Sequence, residues 1–447
     1  MIDNSLFHNK KVAYHTLGCK LNFAETSSIG KQLSEEGFVK VRQGEQADVC
    51  IVNTCSVTDT ADHKCRQAIK SLHRQHPNAV MVVTGCYAQL KPEEVSAIEG
   101  VDLVLGANEK FDILEHLRKM QNASKEEIFH SDILKAKEFK PACSRDGRTR
   151  FFLKVQDGCD YYCTYCTIPF ARGHSRNASI EETLNTVQQA IAEGAKEIVL
   201  SGVNTGDFGK TTSEKFIDLV KALDALPVEI RFRISSIEPN LLTDELIRFI
   251  AGSNHFMPHF HIPLQAGSDE VLKLMKRRYT TGFFAQKIET IRQILPNAFI
   301  GVDVITGVHG ETAELFEKSK KFIESLDISQ LHVFTYSERT GTKMLEINKV
   351  VPIAERKKRS EILHDISAEK TKAFYEKQIG KTAQVLWESR KSGENMVGFT
   401  ENYIRVETPL NKDETNTIQT ITLGNWNEEK TALTIDAPNR KSKIYKL

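Results

Sequence analysis

The sequence predicts an α/β protein in three parts: an amino-terminal parallel α/β domain, a central partial barrel of six β/α units, and a small carboxyl-terminal antiparallel β-barrel. Three observations predict it. Short apolar runs alternate with longer amphipathic stretches from residue 11 to about 120, the rhythm of a parallel sheet with crossover helices. A second alternation of the same kind begins at Phe151. From about Lys381 the chain changes to short strands separated by Gly, Asn and Asp turns. A chain of 447 residues has room for all three, at roughly 150 residues per domain.

In the first part the candidate strands are Lys11 to Leu17, Asp48 to Asn53, Ala79 to Thr84 and Val101 to Leu105. Candidate helices follow each of them: Glu25 to Glu36, Asp59 to Gln75, Lys91 to Ile98 and Lys110 to Met120. The pattern is lost over 121–149, where mixed charge appears with Ser, Pro and Gly. This places domain boundaries at 1–125, a linker at 126–149, a second domain at 150–378 and a third at 379–447. The second domain has candidate strands at 151–156, 197–203, 229–235, 259–264, 299–305 and 330–336. Right-handed crossovers put all intervening helices on one side, hence an open or partial barrel. A basic helical stretch, Ala354 to Lys377, leads into the third domain. Its strands are expected at Ala383 to Trp387, Asn395 to Phe399, Tyr403 to Glu407, Ile418 to Leu423 and Ala432 to Ile435.

Charge is balanced, 60 Lys+Arg against 59 Asp+Glu, so any contact with a charged polymer must be local. At 40% hydrophobic and 27% charged, the composition excludes a disordered or collagen-like chain. Apolar runs such as Ala79 to Val83 fall far short of the roughly 18 residues that span a bilayer, and Met1 to Lys11 lacks an apolar signal region. The expectation is a cytoplasmic protein without a membrane partner. Nine cysteines without a secretory signal argue against a disulfide framework and for metal-binding or catalytic thiolates.

The cysteines sort into two sets. Cys159, Cys163 and Cys166 lie within eight residues of one another, directly after the first strand of the second domain. Three thiolates in one loop suit one face of an iron–sulfur cluster; zinc needs a fourth ligand, for which His174 is the near candidate. With three ligands a four-iron cluster keeps one iron open for a small chelating molecule. The second set is dispersed: Cys19, Cys55 and Cys86 each follow a strand of the first sheet. Ligands of open parallel sheets bind beyond the carboxyl ends of the strands, so these three converge in one crevice and suggest a second cluster. Cys50, inside a strand, and Cys65, on a helix, are expected to be packed core. Cys143 falls in the linker and needs no role.

These residues resemble a known family. Cys159, Cys163 and Cys166 match the CxxxCxxC motif of radical S-adenosylmethionine enzymes. Thr16 to Asn22 (Thr-Leu-Gly-Cys-Lys-Leu-Asn), Asn53-Thr54-Cys55 and Thr84-Gly85-Cys86 resemble the amino-terminal motifs of the methylthiotransferases. The likeness runs from about Lys11 to the carboxyl end. The form Leu-Gly-Cys-Lys-Leu-Asn, with Lys154 to Cys159 (Lys-Val-Gln-Asp-Gly-Cys), looks most like the subfamily acting on N6-threonylcarbamoyladenosine in tRNA. Relatives acting on isopentenyladenosine usually carry Phe-Gly-Cys-Gln-Met-Asn, and those acting on a ribosomal protein Leu-Gly-Cys-Pro-Lys-Asn. Two departures stand out: Asp160 where many relatives have Asn, and Val308-His309-Gly310-Glu311 where many have Phe-Pro-Gly-Glu.

The resemblance implies two [4Fe-4S] clusters, on Cys159/Cys163/Cys166 and on Cys19/Cys55/Cys86, with S-adenosylmethionine on the open iron of the first. It further implies sulfur insertion and methyl transfer at C2 of the tRNA base, with the Cys19/Cys55/Cys86 set catalytic, a flavodoxin or ferredoxin as electron donor, and a sulfur donor the sequence does not name. Cofactor contacts are expected at strand ends: Gly202 and Asn204 after the second strand, Ser235 and Ser236 after the third, Gln265 after the fourth, and Tyr165 against the adenine. Arg172 and Arg176 are candidates for the pocket of a carboxylate-bearing base. The third domain resembles a TRAM domain, an RNA-binding β-barrel, with Trp387, Phe399, Tyr403 and Trp426 interleaved with Arg390, Lys391 and Arg405, and a basic end at Arg440 to Lys446. His259 and His261 share a strand face, where polar barrel lining is the better reading than a metal pair. No Gly-x-Gly-x-x-Gly opens a helix, which excludes a Rossmann dehydrogenase. The rivals are a methylthiotransferase for isopentenyladenosine tRNA or for a ribosomal protein, and a non-catalytic iron–sulfur protein that binds RNA.

Overall fold

The computed structural model describes residues 8–120, 127–144 and 149–436. In the first domain six parallel strands stand in the order Val39–Lys40, Lys11–Thr16, Val49–Thr54, Val80–Gly85, Leu103–Leu105, Glu127–Phe129. The inner strands Val49–Thr54 and Val80–Gly85 are β-branched and almost wholly buried because helices cover both faces. On one face Cys50, Val52, Met81 and Val83 pack with Cys65 and Ile69 of the helix Asp59–Gln75. On the other, Ile51, Val82 and Leu103 pack with Ile29 and Leu33 of the helix Lys20–Glu35. Cys50 and Cys65 are thus core side chains.

The outermost strands escape the sequence pattern. Val39–Lys40 is two residues long, and Glu127–Phe129 lies in the segment expected to be linker. That segment also supplies Ala142–Cys143, which pairs antiparallel with Arg150–Lys154 and buries Cys143. Its described part therefore adds an edge to both sheets.

In the second domain Arg150–Lys154, Glu197–Ser201 and Arg231–Ile234 run parallel, as do His259–Gln265, Phe299–Thr306 and Gln330–Thr335. Single parallel bridges, Phe232 to Phe256 and Ser236 to His261, join the two groups. Spatial order follows chain order, and among the described residues the last strand does not pair with the first, so the arc stays open. Side chains alternate along each strand. Phe151, Leu153, Ile198, Leu200, Phe232, Ile234, Phe260, Ile262, Val302 and Val304 pack into the helix-covered core. The alternate positions carry Arg150, Lys154, Glu197, Arg231, Arg233, His259, His261, Asp303 and His332, so the concave face is polar.

The third domain is a closed barrel of Thr382–Ser392, Asn395–Thr400, Arg405–Pro409, Leu433–Ile435 and Ile418–Trp426, antiparallel except where Arg405–Pro409 meets Leu433–Ile435. Its aromatics make contacts within the protein. Trp387 is fully buried and donates from Nε1 to Gln419 Oε1 at 2.9 Å. Trp426 stacks on Tyr375 with centroids 4.9 Å apart, and Phe399 stacks on Tyr403 at the same spacing. Arg405 pairs with Glu407. The small barrel uses these rings first as core, for Trp387, and as half-buried packing and its dock on the second domain, for Phe399, Tyr403 and Trp426. The basic end, Arg440 to Lys446, lies outside the described residues. The barrel is bonded to the concave face: Arg233, 1% exposed, donates to the Thr400 and Glu401 carbonyls, both at 2.8 Å, and to Glu197 Oε1 at 2.8 Å.

A buried ion network joins the first two domains. Glu25, on the helix Lys20–Glu35, accepts from Lys110 at 2.6 Å, Arg172 at 3.0 Å and Lys154 at 3.2 Å; Asp157 accepts from Arg172 at 2.9 Å and Lys154 at 3.2 Å. None of these side chains is more than 6% exposed. Burial alone would raise the Glu25 carboxyl, but Arg172, Lys110 and Lys154 outweigh it and hold the group well below the usual carboxylate range. Its contribution to stability is then complete above the ordinary unfolded value near pH ~4.3 and is lost as pH falls below that toward the folded value. Glu25→Gln should destabilise the domain junction by about 3–5 kcal/mol at pH 7, since it strands buried cations. In thermal melts the variant's midpoint should be lower at neutral pH and should fall less than the wild type's on acidification below pH ~4. Equal midpoints at pH 7 would remove the network's structural role.

Candidate functional site

Each dispersed cysteine sits where its strand ends. Cys19 is the exposed N-cap of the helix Lys20–Glu35, Cys55 follows Val49–Thr54, and Cys86 opens the helix Cys86–Leu90 immediately after Val80–Gly85. The structure brings the three together. Gly18, with φ +104°, passes so close to Cys55 that a Cβ there would lie 2.8 Å from its Cβ and 3.1 Å from its Sγ. Burial pushes the Cys55 thiol up to about 12, and the charges of Cys86 and Cys19 add to the rise. Burial raises Cys86 as well, while Arg172 and Lys110 of the ion network pull it back.

The loop cysteines follow the short strand Gln156–Asp157. The Cys166 amide donates to the Cys163 carbonyl at 3.0 Å, the Ile168 amide to Cys166 Sγ at 3.4 Å, and Arg277 Nη1 to Cys163 Sγ at 3.0 Å. Burial pushes Cys166 up to about 12 and raises Cys159, with the neighbouring cysteines contributing to both. His174 turns away: its Nδ1 lies 2.8 Å from Asp160 Oδ1 on the solvent side, so it is not a fourth ligand, and the departure Asp160 has a local partner. Among the described residues neither cysteine set is tight enough to share a single ion; His261, Asp303 and His332 are, with ligand atoms within 4.8 Å. Three thiols spread wider than a one-ion site and lacking a fourth ligand fit a multi-iron cluster with one open iron.

The elements that carry the two sets pack against each other. The helix Ile168–Arg172, directly after Cys166, packs on the helix that Cys86 opens. Arg172 Nη2 donates at 2.6 Å to Asn22 Oδ1, and Asn22 Nδ2 donates to the Leu17 carbonyl at 2.7 Å and the Thr54 carbonyl at 3.0 Å. Asn22 so fixes the loop of Cys19 against the strand end of Cys55.

Two family descriptions match, "Uncharacterized protein family UPF0004" over residues 11–106 and "Radical SAM superfamily" over 153–323, each containing one of the two cysteine sets. The threonylcarbamoyladenosine tRNA methylthiotransferase MtaB of Bacillus subtilis is 39% identical over 405 residues, covering 88% of this chain and 89% of the relative. The chain belongs to the radical S-adenosylmethionine methylthiotransferase family. A tRNA-2-methylthio-N(6)-dimethylallyladenosine synthase of Desulfitobacterium hafniense is 31% identical, covering 90% and 92%. The fold is also that of a radical S-adenosylmethionine methyltransferase, TsrM from Kitasatospora setae, at TM-score 0.55, 13% identity and 73% of each chain.

For a methylthiotransferase the strand ends expected to hold the cofactor are informative. Gly202 approaches Gln156 so closely that a Cβ would lie 2.8 Å from Gln156 Oε1. The Asn204 amide donates to that same oxygen at 2.9 Å, Asn204 Oδ1 accepts from the Glu238 amide at 3.2 Å, and among the described residues Asn204 Nδ2, in the neighbourhood of the Asp207 carboxyl, is buried without a hydrogen bond. Gln265 holds φ +66° at an irregularity in its strand, and its Oε1 is also buried without a partner. An orphaned donor and an orphaned acceptor at strand ends fit a polar ligand. Ser235 ends its strand beside them; Ser236 is committed through its carbonyl, which accepts from Thr205 at 2.9 Å. Tyr165 packs on the barrel core with its hydroxyl 3.5 Å from Arg277.

Arg172 and Arg176 do not line a base pocket. Both are buried, Arg172 spent on Glu25, Asp157 and Asn22, and Arg176 on Asp157 and the Arg172, His174 and Glu138 carbonyls. Sequence reasoning missed Gln156 as the residue that ties Asn204 to the cysteine loop, Arg277 as the cation on Cys163, and Asp303 with His332 as partners of His261. Asp303 Oδ1 lies 2.6 Å from His261 Nε2 and 3.0 Å from His332 Nδ1. The alternation of strands carried that last signal, since all three sit at concave positions. The other histidine of the expected pair, His259, instead stacks on Phe299 at 5.4 Å.

Proposed function

We propose that this chain is the enzyme that methylthiolates C2 of N6-threonylcarbamoyladenosine beside the anticodon of tRNA, giving 2-methylthio-N6-threonylcarbamoyladenosine. The observation that carries this reading is that two three-cysteine sets sit on packed elements of two domains, joined through Arg172 and Asn22, beside one polar concave face, a layout that suits a two-cluster reaction on a single base. Identity of 39% to the threonylcarbamoyl relative against 31% to the dimethylallyl one supports the choice of base. Cys159, Cys163 and Cys166 would hold one [4Fe-4S] cluster with S-adenosylmethionine on its open iron, and Cys19, Cys55 and Cys86 the other. When bound, these groups supply reductive cleavage of S-adenosylmethionine and the methylthio group that replaces hydrogen at C2.

The chain's own residues bind, orient and screen. Asn204 Nδ2 offers a donor and Gln265 Oε1 an acceptor to S-adenosylmethionine, with Gly202, Ser235, Ser236 and Tyr165 around it. Gln156 fixes this group to the cysteine loop, its Nε2 donating to the Gly158 carbonyl at 2.8 Å while its Oε1 holds Asn204. Arg277 places a cation on Cys163 and is itself held by Glu238. Asp303 anchors both His261 and His332, which fixes the rings on the wall of the chamber. The third domain closes one side of that chamber and excludes water. The reading requires a reductant such as a flavodoxin or ferredoxin and a sulfur donor, and a tRNA substrate implies work in the cytoplasm. No helix of the described residues is long and apolar enough to cross a membrane.

Two measurements test it. After anaerobic reconstitution, changing Cys159, Cys163 and Cys166 together to Ala should halve the iron, and changing Cys19, Cys55 and Cys86 should remove the other half while sparing reductive cleavage of S-adenosylmethionine. Unchanged iron in either variant would unseat that set as ligands. With matched tRNAs, methylthio product is expected on the threonylcarbamoyl base and none on the isopentenyl base. The reverse preference would move the chain to the other substrate, and no cleavage at all would favour a non-catalytic RNA-binding protein.

A further inference from the structure

His261, Asp303 and His332 converge on the concave wall from three adjacent parallel strands, His259–Gln265, Phe299–Thr306 and Gln330–Thr335. Asp303 and His332 are register partners. The register partner of His261 is Gly301, two residues before Asp303 and so on the same face. A glycine there leaves room for the rings, because a Cβ at 301 would lie 3.3 Å from His332 Cε1 and 3.2 Å from Phe299 Cε1.

The result is a triangle of lone-pair atoms. Asp303 Oδ1 lies 2.6 Å from His261 Nε2 and 3.0 Å from His332 Nδ1, and the two nitrogens are 3.2 Å apart. The imidazole rings meet edge to face at 86°, with centroids 4.8 Å apart. The side chains of His261, Asp303 and His332 are 20%, 16% and 37% exposed, so a small ion can reach them.

Protons alone do not suit all three edges of this triangle. If both nitrogens carry hydrogen and donate to the one carboxylate oxygen, two N–H groups of like polarity are held side by side, 3.2 Å apart. If one nitrogen is bare and accepts from the other, its lone pair faces the carboxylate oxygen instead. A cation shared by all three atoms removes both conflicts. The dimensions agree: an ion about 2.0–2.1 Å from two imidazole nitrogens and a carboxylate oxygen brings those atoms to about 3 Å from one another. Two imidazoles and one carboxylate are also the donor set of open transition-metal sites.

We propose that His261, Asp303 and His332 form a binding site for one divalent transition-metal ion of the zinc class, separate from both cysteine sets. Three protein ligands leave a position for water or for an oxygen of a molecule bound on the concave face. The donors are nitrogen and oxygen alone, which sets this site apart chemically from the thiolates, and it does not depend on which tRNA base is modified.

The test uses full-length protein with both clusters reconstituted, so that the six cysteines assigned to them are occupied. The protein is equilibrated with Zn2+ alone, desalted, and assayed for zinc and iron. Wild type should retain one zinc per chain. X-ray absorption at the zinc edge should show nitrogen and oxygen neighbours at about 2.0–2.1 Å and no sulfur shell at about 2.3 Å. Asp303→Asn and His332→Gln should each bind zinc roughly 100-fold or more weakly, beyond the 10–100-fold cost of losing an outer-shell partner, with unchanged iron. The proposal is overturned if wild type retains no zinc, if its zinc has sulfur neighbours, or if either variant retains zinc as wild type does. A folded variant that loses iron along with zinc would show support of a cluster instead, and overturns it too. The absorption measurement on wild type decides the ligand set whether or not a variant folds.

Discussion

The buried network centred on Glu25 and Asp157 is the constraint on which the site depends. Two carboxylates are shared by four cations, Lys110, Lys154, Arg172 and Arg176, contributed by both domains. No member can ionise or leave independently, because each is desolvated and its energy lies in its partners. The geometry is therefore all or none. Domains docked in this register put Asn22, Arg172 and Asp157 in line between the strand-end cysteines and the cysteine loop. Any other register would break several charged hydrogen bonds in a low-dielectric junction. The network also carries more positive than negative charge, and Arg172 and Lys110 act on Cys86, favouring a thiolate where metal binding needs one.

Much of this was legible in the sequence because it depends on period and position. Every long strand of the three domains declares itself through alternation or an apolar run, and the strand-end rule locates Cys19, Cys55 and Cys86 before any coordinates. What escaped was too short or too distant. Val39–Lys40, Glu127–Phe129 and Ala142–Cys143 are two or three residues long, below what a periodicity can register. Asp303 and His332 meet His261 across separations of 42 and 71 residues. Arg172 and Arg176 misled for a physical reason: a cation after a metal loop is as useful for docking a domain as for holding a substrate. Only the position of Glu25, 147 residues earlier, decides between the two.

The third domain is where composition misleads most. Aromatic rings interleaved with basic residues have the make-up of an RNA-stacking surface, yet a five-stranded barrel of this size has few other ways to fill its core than with Trp387, Met396 and Val385. The rings left over serve the junction. Phe399 and Tyr403 carry Arg150 on their faces, at 4.5 and 5.5 Å from the ring centres, and Tyr403 also touches His259 and Phe299. Arg233, pinned between Glu197 and two barrel carbonyls, makes the third domain a wall of the chamber. Its removal would expose a cation of the second domain, so a truncation that weakened RNA binding would not by itself identify an RNA-binding surface.

That arrangement bears on how such a chamber can choose its base. Arg150 and Arg233 face carboxylates, and the histidines flanking Asp303 face it in turn, so these charged groups of the concave wall are paired before any substrate arrives. A wall already satisfied discriminates weakly between adenosines that differ only at N6, because shape alone distinguishes substituents of similar bulk by factors of about 10–200. Stronger discrimination requires a group whose need is unmet within the protein and met by one substrate. Tyr403 is not such a group: burial would raise its phenol, yet Arg150 and Lys20 together bring it below its ordinary value, so the surroundings there are cation-rich. Lys20 of the first domain and Arg150 and Arg233 of the second all act on this one phenol of the third, so its ionisation depends on the docking of all three domains.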